Sequence, residues 1–151
     1  ISTYDANDKR LNATIAYSGT TPYVIKYDDL STGGDNVIVL RLAEMYLIRA
    51  ESNARLSTNV NQIQSDINII RNRAGLNAIS ISDYPQLITA IEQERRWELA
   101  FEGHRWFDLV RTGRALDLLP TVKNINQTLF PIPQSELITN NNPGMTQNPG
   151  Y

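Results

Sequence analysis

The sequence contains no cysteine and no long apolar run, and each absence excludes a class of protein. Without cysteine among its 151 residues, the chain has neither disulfide bonds nor a thiol nucleophile. A helix that crosses a bilayer needs about 20 consecutive apolar residues, and no run in this sequence approaches that length. The first ten residues, ISTYDANDKR, have neither the basic segment nor the apolar segment of a secretory signal peptide. These absences leave a chain that we expect to fold around an ordinary apolar core.

Histidine and clustered positive charge are also scarce. The single histidine, His104, lies three residues after Phe101, so the Glu-x-x-His pattern of a di-metal helical bundle is missing. We therefore predict no metal and no cofactor. The net charge is -2, and no run of lysine and arginine is interleaved with aromatic residues, which argues against a nucleic-acid partner. A composition of 41% hydrophobic and 20% charged residues suits one globular domain.

Two short segments near the start of the chain have the character of β-strands. Arg10 to Ala16 and Tyr23 to Tyr27 are alternating or β-branched, and the turn sequence Ser18 to Pro22 separates them. We predict a small β-hairpin here. A loop from Asp28 to Asn36 follows, and its two adjacent glycines predict flexibility.

Apolar residues at helical spacing then predict an antiparallel pair of helices. The first runs from about Arg41 to Leu56 and the second ends at Ala74. Asn59 is expected to cap the second helix, and Gly75 to follow its end in a left-handed conformation. The residues predicted to face the core are Leu40, Ala43, Leu47, Ala50, Ala54, Val60, Ile63, Ile67, Ile70 and Ala74.

A third helix is predicted to begin after the capping residue Asp83 and to continue to Glu102, where Gly103 ends it. Shorter helical segments are expected from His104 to Thr112 and from Arg114 to Leu119. Two tryptophans, Trp97 and Trp106, lie in this region. They suit either the core or a stacking surface for sugars, and their helical spacing in an apolar run favours the core.

The third helix carries three glutamates on one stripe, because Glu94, Glu98 and Glu102 follow each other at intervals of four residues. Like charges repel, so the stripe needs cations, which Arg41, Arg49, Arg71 and Arg73 of the other helices can supply. The alternative is a carboxylate pair for acid/base work on a glycosidic bond, but carboxylates one turn apart do not straddle a substrate. We therefore predict that a partly buried ion-pair network holds the fold. Its members are Arg41, Glu44, Glu94, Arg95, Glu98, Glu102, Arg105, Asp108 and Arg111.

The last 31 residues lose this periodicity. Four prolines lie between Thr121 and Tyr151, so the segment cannot be one helix or a central strand. We predict an ordered strap of extended and turn conformations that lies across the helices. Its expected apolar anchors are Phe130, Ile132, Leu137 and Met145.

Five sequence segments follow one another in a characteristic order: RLAEMYLIRAE (Arg41 to Glu51), INIIRNRAGL (Ile67 to Leu76), ERRWELAFEGHRWFDLVRTG (Glu94 to Gly113), LFPIPQSEL (Leu129 to Leu137) and QNPGY (Gln147 to Tyr151). In this order they resemble the C-terminal part of the SusD/RagB family. The triplet at Asp8 to Arg10 also looks like that family's Asp-x-Arg strand start. The resemblance implies a mainly α fold with tetratricopeptide-like αα-hairpins, a small N-terminal β-hairpin and a long irregular C-terminal strap.

Proteins of this family are lipoproteins at the surface of the outer membrane. They bind glycans or other nutrients without catalysis and sit over a SusC-like TonB-dependent transporter. The resemblance therefore implies a glycan or oligosaccharide ligand, such a transporter as partner, and no enzymatic activity. It also implies that a lipidated cysteine and a signal peptide lie upstream, so that a longer precursor is anchored to the membrane through a segment outside these 151 residues.

We predict one domain over residues 1–151, with hairpin and loop in 1–36, a helical core in 37–120 and an extended tail in 121–151. The resemblance transfers no ligand residue. From the chain itself we predict that Tyr17, Tyr23 and Tyr27, beside the hairpin turns, present ring faces to a sugar, although ordinary half-buried strand tyrosines have the same pattern. Two other functions stay open: a helical protein-protein scaffold that binds no sugar, and a carbohydrate-active hydrolase.

Overall fold

The computed structural model of the chain describes residues 3–29 and 31–151. Leu30, which belongs to the predicted flexible loop, and the first two residues lie outside the described part. The chain divides into two compact units, Ile1–His104 and Arg105–Tyr151. The described residues form seven α-helices, one short 3₁₀ helix and one β-hairpin, so the predicted mainly α fold is confirmed. The assignment of the chain to one domain stays a prediction.

The first unit opens with a helix where a strand was predicted. Helix α1 covers Lys9–Thr14, which includes most of the segment expected to be the first strand. The reason is Asp8, whose buried carboxylate accepts a hydrogen bond from the Arg10 backbone N–H at 3.0 Å and caps the helix. The hairpin is confirmed, with β1 at Ile15–Ser18 and β2 at Thr21–Val24. The predicted turn is too long, because Ser18 pairs with Thr21 and only residues 19 and 20 form the turn.

Three longer helices form the core of the first unit. They are α2 (Leu42–Arg55), α3 (Val60–Arg73) and α4 (Tyr84–Glu98), and α2 packs against both others. The predicted antiparallel pair is thus confirmed, with boundaries within about one residue. One cluster of buried side chains joins all three helices: Ala50, Ala54, Ile63, Ile67, Leu87 and Ile91.

Two details of the predicted helical pair are wrong. Leu40, expected in the core, is 75% exposed, because α2 begins two residues later and Leu40 lies outside its buried face. Asn59 does precede α3, but its side chain makes no capping hydrogen bond. A capping side chain needs extended backbone, whereas Asn59 has a left-handed φ of 51°. Gly75 has the predicted positive φ, at 82°.

Helix α4 begins as predicted but ends four residues early. Asp83 caps it by accepting a hydrogen bond from the Gln86 N–H at 3.0 Å. The helix ends at Glu98 instead of Glu102, and Arg41 provides the physical reason. The Arg41 guanidinium donates to the Glu98 carbonyl, the acceptor that a continuing helix would offer to the N–H of Glu102.

Helix α5 (His104–Arg111) begins at the last residue of the first unit and otherwise belongs to the second. The second unit also contains α6 (Ala115–Leu118), a 3₁₀ helix (Ile125–Thr128) and α7 (Gln134–Thr139). Helices α5 and α6 are close to the predicted segments. Helix α7 corrects the expectation of a tail made of extended and turn conformations alone. Phe130 is not one of the tail's anchors within this unit, because its side chain is 76% exposed.

The two tail motifs of the sequence bind each other. The side-chain amide of Gln147 accepts from the Ile132 N–H at 2.8 Å and donates to the Ile132 carbonyl at 2.9 Å, much as a neighbouring strand would. Asn148 donates to the Phe130 carbonyl at 2.7 Å. The Tyr151 hydroxyl donates to the Leu129 carbonyl at 2.9 Å. The last five residues therefore hold the LFPI segment by its backbone.

Candidate functional site

The charged cluster of the first unit centres on Glu98, near the C-terminal end of α4. One oxygen of its carboxylate accepts hydrogen bonds from Arg41 and Arg73, and the other accepts from Arg10 Nη1 at 3.2 Å. The Glu98 side chain is only 3% exposed. Three guanidinium groups from three different parts of the chain thus share one buried anion.

Glu94 and Glu102 extend the cluster on either side of Glu98. Glu94 accepts from Arg10 Nη1 at 2.6 Å and from Arg71 Nη1 at 3.3 Å. Glu102 binds Arg41 Nε at 2.8 Å and the Lys26 ammonium group. The acidic stripe is therefore neutralised by cations, although Glu102 lies in the turn after α4 and not on the helix.

Other residues of the predicted network lie elsewhere. Arg49 binds Asp66 and not the acidic stripe, with Arg49 Nη2 at 2.6 Å from the buried carboxylate. Glu44 lies 4.0 Å from Arg95 and 3.5 Å from His104 Nδ1. Arg105, Asp108 and Arg111 belong to the second unit, where Arg111 pairs with Asp108 at 2.8 Å.

Sequence reasoning missed three members of the cluster: Asp8, Arg10 and Lys26. Arg10 binds Asp8 at 2.7 Å and reaches Glu94, 84 residues further along the chain. Lys26 follows the hairpin and binds Glu102, 76 residues away. The Asp-x-Arg triplet is the local signal at this position, and its resemblance to a strand start predicts the wrong element.

The carboxylates of the cluster differ in their pKa values. Burial by itself would raise the pKa of Glu98, but hydrogen bonds from Arg73 and Arg41 lower it to about 2. The pKa of Glu102 is lowered too, because Arg41 and Lys26 outweigh its burial. Burial raises the pKa of Glu94, in spite of Arg10 and Arg71. A glycosidase acid needs a raised pKa and a free carboxyl group, whereas both oxygens of Glu94 are bound by arginines.

The low pKa of Glu98 predicts a stability difference that depends on pH. A carboxyl group whose pKa is lower in the folded chain stabilises it above the unfolded pKa, which is 4.5, and this contribution disappears as the pH falls toward 2. We expect the free energy of unfolding of the native chain to exceed that of Glu98→Gln by about 3 kcal/mol at pH 7 and by about 1 kcal/mol at pH 3. Urea denaturation of both proteins at the two pH values measures this. A difference that does not change with pH would contradict the lowered pKa.

A cavity of about 300 Å³ opens beside this cluster. Its wall includes the aromatic ring of Trp97 and the side chains of Thr14 and Ile38. The charged residues that line it are Arg10, Lys26, Arg41, Arg73, Glu98 and Glu102. Trp97 is partly buried, with Tyr4 at a ring-centroid distance of 6.1 Å and the Arg10 guanidinium 5.9 Å from its centroid.

The three tyrosines predicted to bind ligand do not form one surface. Tyr17 pairs with Pro22, and Ala16 with Tyr23, so Tyr17 and Tyr23 point to opposite faces of the hairpin. Both rings are about half exposed, at 52% and 51%. Tyr27 has a buried hydroxyl that finds no hydrogen-bond partner in the described part of the chain.

Comparison of the sequence with protein-family models identifies the family to which the chain belongs. Residues 26–121 match the sequence model of the SusD family. The chain belongs to the SusD family. The matched range contains the first three resemblance motifs and ends before LFPIPQSEL and QNPGY.

Individual SusD-like proteins extend the similarity to the rest of this SusD-family chain. SusD-like protein P38 of Formosa agariphila is 31% identical over 95% of the chain and 32% of its own length. A SusD superfamily protein from Parabacteroides distasonis has a TM-score of 0.78 and 25% identity, covering 99% of the chain and 40% of that protein. A laminarin-binding SusD-like protein has a TM-score of 0.75 and 32% identity, covering 99% and 37%.

The SusD-family chain spans about a third of the length of the curated relatives that it matches. The similarity to these two solved structures covers 99% of the chain and therefore continues beyond residue 121, where the match to the family model ends. Within residues 3–29 and 31–151, no helix is long and apolar enough to cross a membrane.

Proposed function

We propose that this chain is part of a non-catalytic glycan-binding protein that acts at the outer membrane with a SusC-like TonB-dependent transporter. The observation that carries the proposal is the match of 99% of the chain to a laminarin-binding SusD-like protein at 32% identity. Family membership supports the nutrient-uptake role, the lipid anchor on a segment outside these residues and the location at the cell surface.

The chemistry of the charged cluster also supports a binding protein over a hydrolase. A glycosidase places two carboxyl groups on opposite sides of a bond, one of them protonated. Glu94 and Glu98 instead lie one turn apart on α4 and bind arginines. Their hydrogen bonds are used within the protein, which leaves neither group free to transfer a proton.

We propose that an exposed hairpin tyrosine provides a stacking surface for a sugar ring. Tyr17 and Tyr23 each expose half of their surface, on opposite faces, so one flat glycan contacts only one of them. Tyr27 is the weakest of the three candidates because its hydroxyl group is buried. Glycan binding by separate Tyr17→Ala and Tyr23→Ala variants identifies which face of the hairpin contacts the sugar.

A helical scaffold that binds protein is the second candidate, and the outer face of α2 favours it. Leu42, Met45 and Ile48 recur at three-residue intervals on this helix and are 68%, 43% and 44% exposed. An apolar stripe of this kind is typical of a surface that another protein segment covers. This candidate predicts that no sugar binds.

A glycan array in which binding and the release of reducing ends are measured in the same wells distinguishes a glycan-binding protein, a hydrolase and a protein-binding scaffold. We expect the family-length protein that contains this chain to bind at least one class of glycan without releasing reducing ends. The chain by itself is tested beside it, with Tyr17→Ala and Tyr23→Ala. Binding by the chain that one tyrosine variant abolishes places the sugar on that face of the hairpin. Release of reducing ends would establish the hydrolase instead, and binding of no glycan by either protein would favour the scaffold.

A further inference from the structure

We infer that the cavity beside Trp97 binds a sugar with an anionic substituent, either the carboxylate of a uronic acid or a sulfate ester. This inference rests on the proposed glycan-binding function and specifies the class of sugar. It comes from the charge of the cavity wall, from the unused hydrogen-bond donors of one arginine, and from the aromatic ring beside them.

The wall of the cavity carries a local excess of positive charge. The cations that line the cavity are Arg10, Lys26, Arg41 and Arg73, and Arg10 is also bound to Asp8 and Glu94, which in turn binds Arg71. Five cations and four carboxylates in the whole cluster leave one positive charge in excess. The two carboxylates that line the cavity itself are Glu98 and Glu102. Both carboxylates have lowered pKa values and remain ionised at neutral pH. The chain as a whole has a net charge of -2, so the excess belongs to this site and not to the protein surface in general. An anion is therefore attracted to the cavity itself.

Arg73 is the cation of the wall that has N–H groups available to a ligand. Its side chain is 59% exposed, whereas those of Arg10, Lys26 and Arg41 are 11%, 15% and 22% exposed. Among the described residues, Arg73 donates from Nη2 to Glu98. Nε and Nη1 are left for a ligand, and because they lie on different edges of the guanidinium group, each can donate one charge-assisted hydrogen bond to an anionic oxygen.

The rest of the wall suits the sugar that carries the anion. The Trp97 side chain adds apolar surface for the CH groups of a pyranose, on the part that Tyr4 and the Arg10 guanidinium leave uncovered. Thr14 adds a hydroxyl group to the wall, and that group donates to the Arg10 carbonyl at 2.8 Å. A volume of about 300 Å³ is at the lower end for ligand pockets, which fits one end of a short saccharide.

The test compares the binding of three trisaccharides that differ in charge. One is built from galactose, one from galacturonate and one from sulfated galactose. Calorimetry with the chain and with the family-length protein measures each affinity. A hydrogen bond to a charged group contributes about 1.5–3 kcal/mol, so we expect at least one acidic trisaccharide to bind about tenfold or more tightly than the neutral one. The galacturonate and the sulfated trisaccharide are titrated separately, and inorganic sulfate is titrated as a further ligand.

Arg73→Gln removes the proposed recognition group, while Glu98 keeps its hydrogen bonds to Arg10 and Arg41. The matched control is Arg55→Gln, since Arg55 is also a half-exposed arginine bound to one carboxylate, that of Glu51. We expect the preference for the acidic sugar to disappear in Arg73→Gln, to persist in Arg55→Gln and to weaken with added salt.

Equal binding of neutral and acidic trisaccharides would overturn the inference and leave the proposed glycan binding intact. An acidic preference that survives Arg73→Gln would overturn it as well, because the anion would then lie elsewhere. Binding of inorganic sulfate without any saccharide would show a site for a free anion and not for a sugar. If no saccharide of any kind binds the family-length protein, on the array or in solution, both the inference and the proposed function fail.

Discussion

Replacing Glu98 with alanine is expected to lower the free energy of unfolding by about 3 to 5 kcal/mol, the range typical of breaking a buried ion pair. Its carboxylate, 3% exposed, is shared by Arg10, Arg41 and Arg73. The alanine variant leaves Arg10 and Arg41 largely buried without this anion. In a chain of this size we expect the melting temperature to fall by about 10 °C or more.

A suitable control is Glu136→Ala, because Glu136 is an exposed glutamate on the short helix α7. Its removal should change stability by no more than about 0.5 kcal/mol. Thermal unfolding followed by circular dichroism measures both variants under the same conditions. If Glu98→Ala melts within experimental error of the native chain, the buried cluster does not stabilise the fold.

Replacing Ile67 with alanine is expected to cost about 2 to 5 kcal/mol through the cavity that it leaves. Ile67 is 1% exposed and belongs to the apolar cluster that joins α2, α3 and α4. The neighbouring buried side chains relax only partly into the space that the shorter side chain leaves, so a cavity remains. The expected result is a lower denaturation midpoint in urea with an unchanged slope.

The same helix offers the matched control for this variant. Ile69 lies two residues away on α3 and is 46% exposed, so Ile69→Ala makes the same chemical change on the outer face. We expect a loss of about 1 kcal/mol or less. Equal losses for the two variants would contradict the assignment of Ile67 to the core and Ile69 to the surface.

The helices were predictable because their signals are local. Ala50 and Ala54 on α2, like Ile63 and Ile67 on α3, are four residues apart, and this spacing specifies which face of each helix is buried, whichever partner covers it. Asp83 capped α4 as expected, because an N-cap depends on backbone groups only three residues away. Such features depend on neighbours that the sequence itself displays.

The errors arise where distant residues intervene. The sequence predicts that α4 continues to Glu102, but Arg41 takes the carbonyl that the next turn would use. The sequence predicts a strand at Arg10, because the pairing of this residue with Glu94, 84 residues away, has no local signature. The candidate site has the same limitation, since its cavity is lined by residues from six separate parts of the chain, from α1 to the turn after α4.

The long separation between Arg10 and Glu94 has a consequence for the order of folding. Helices α2, α3 and α4 are joined by short connections, so their contacts close small loops and form early. The contact from α1 to α4 closes a loop of more than 80 residues, which carries a larger entropic cost. During synthesis, Arg10 and Asp8 leave the ribosome long before Glu94 and Glu98 exist. We therefore expect the segment around α1 to dock last, onto helices that have already assembled, and to complete the neutralisation of their acidic stripe.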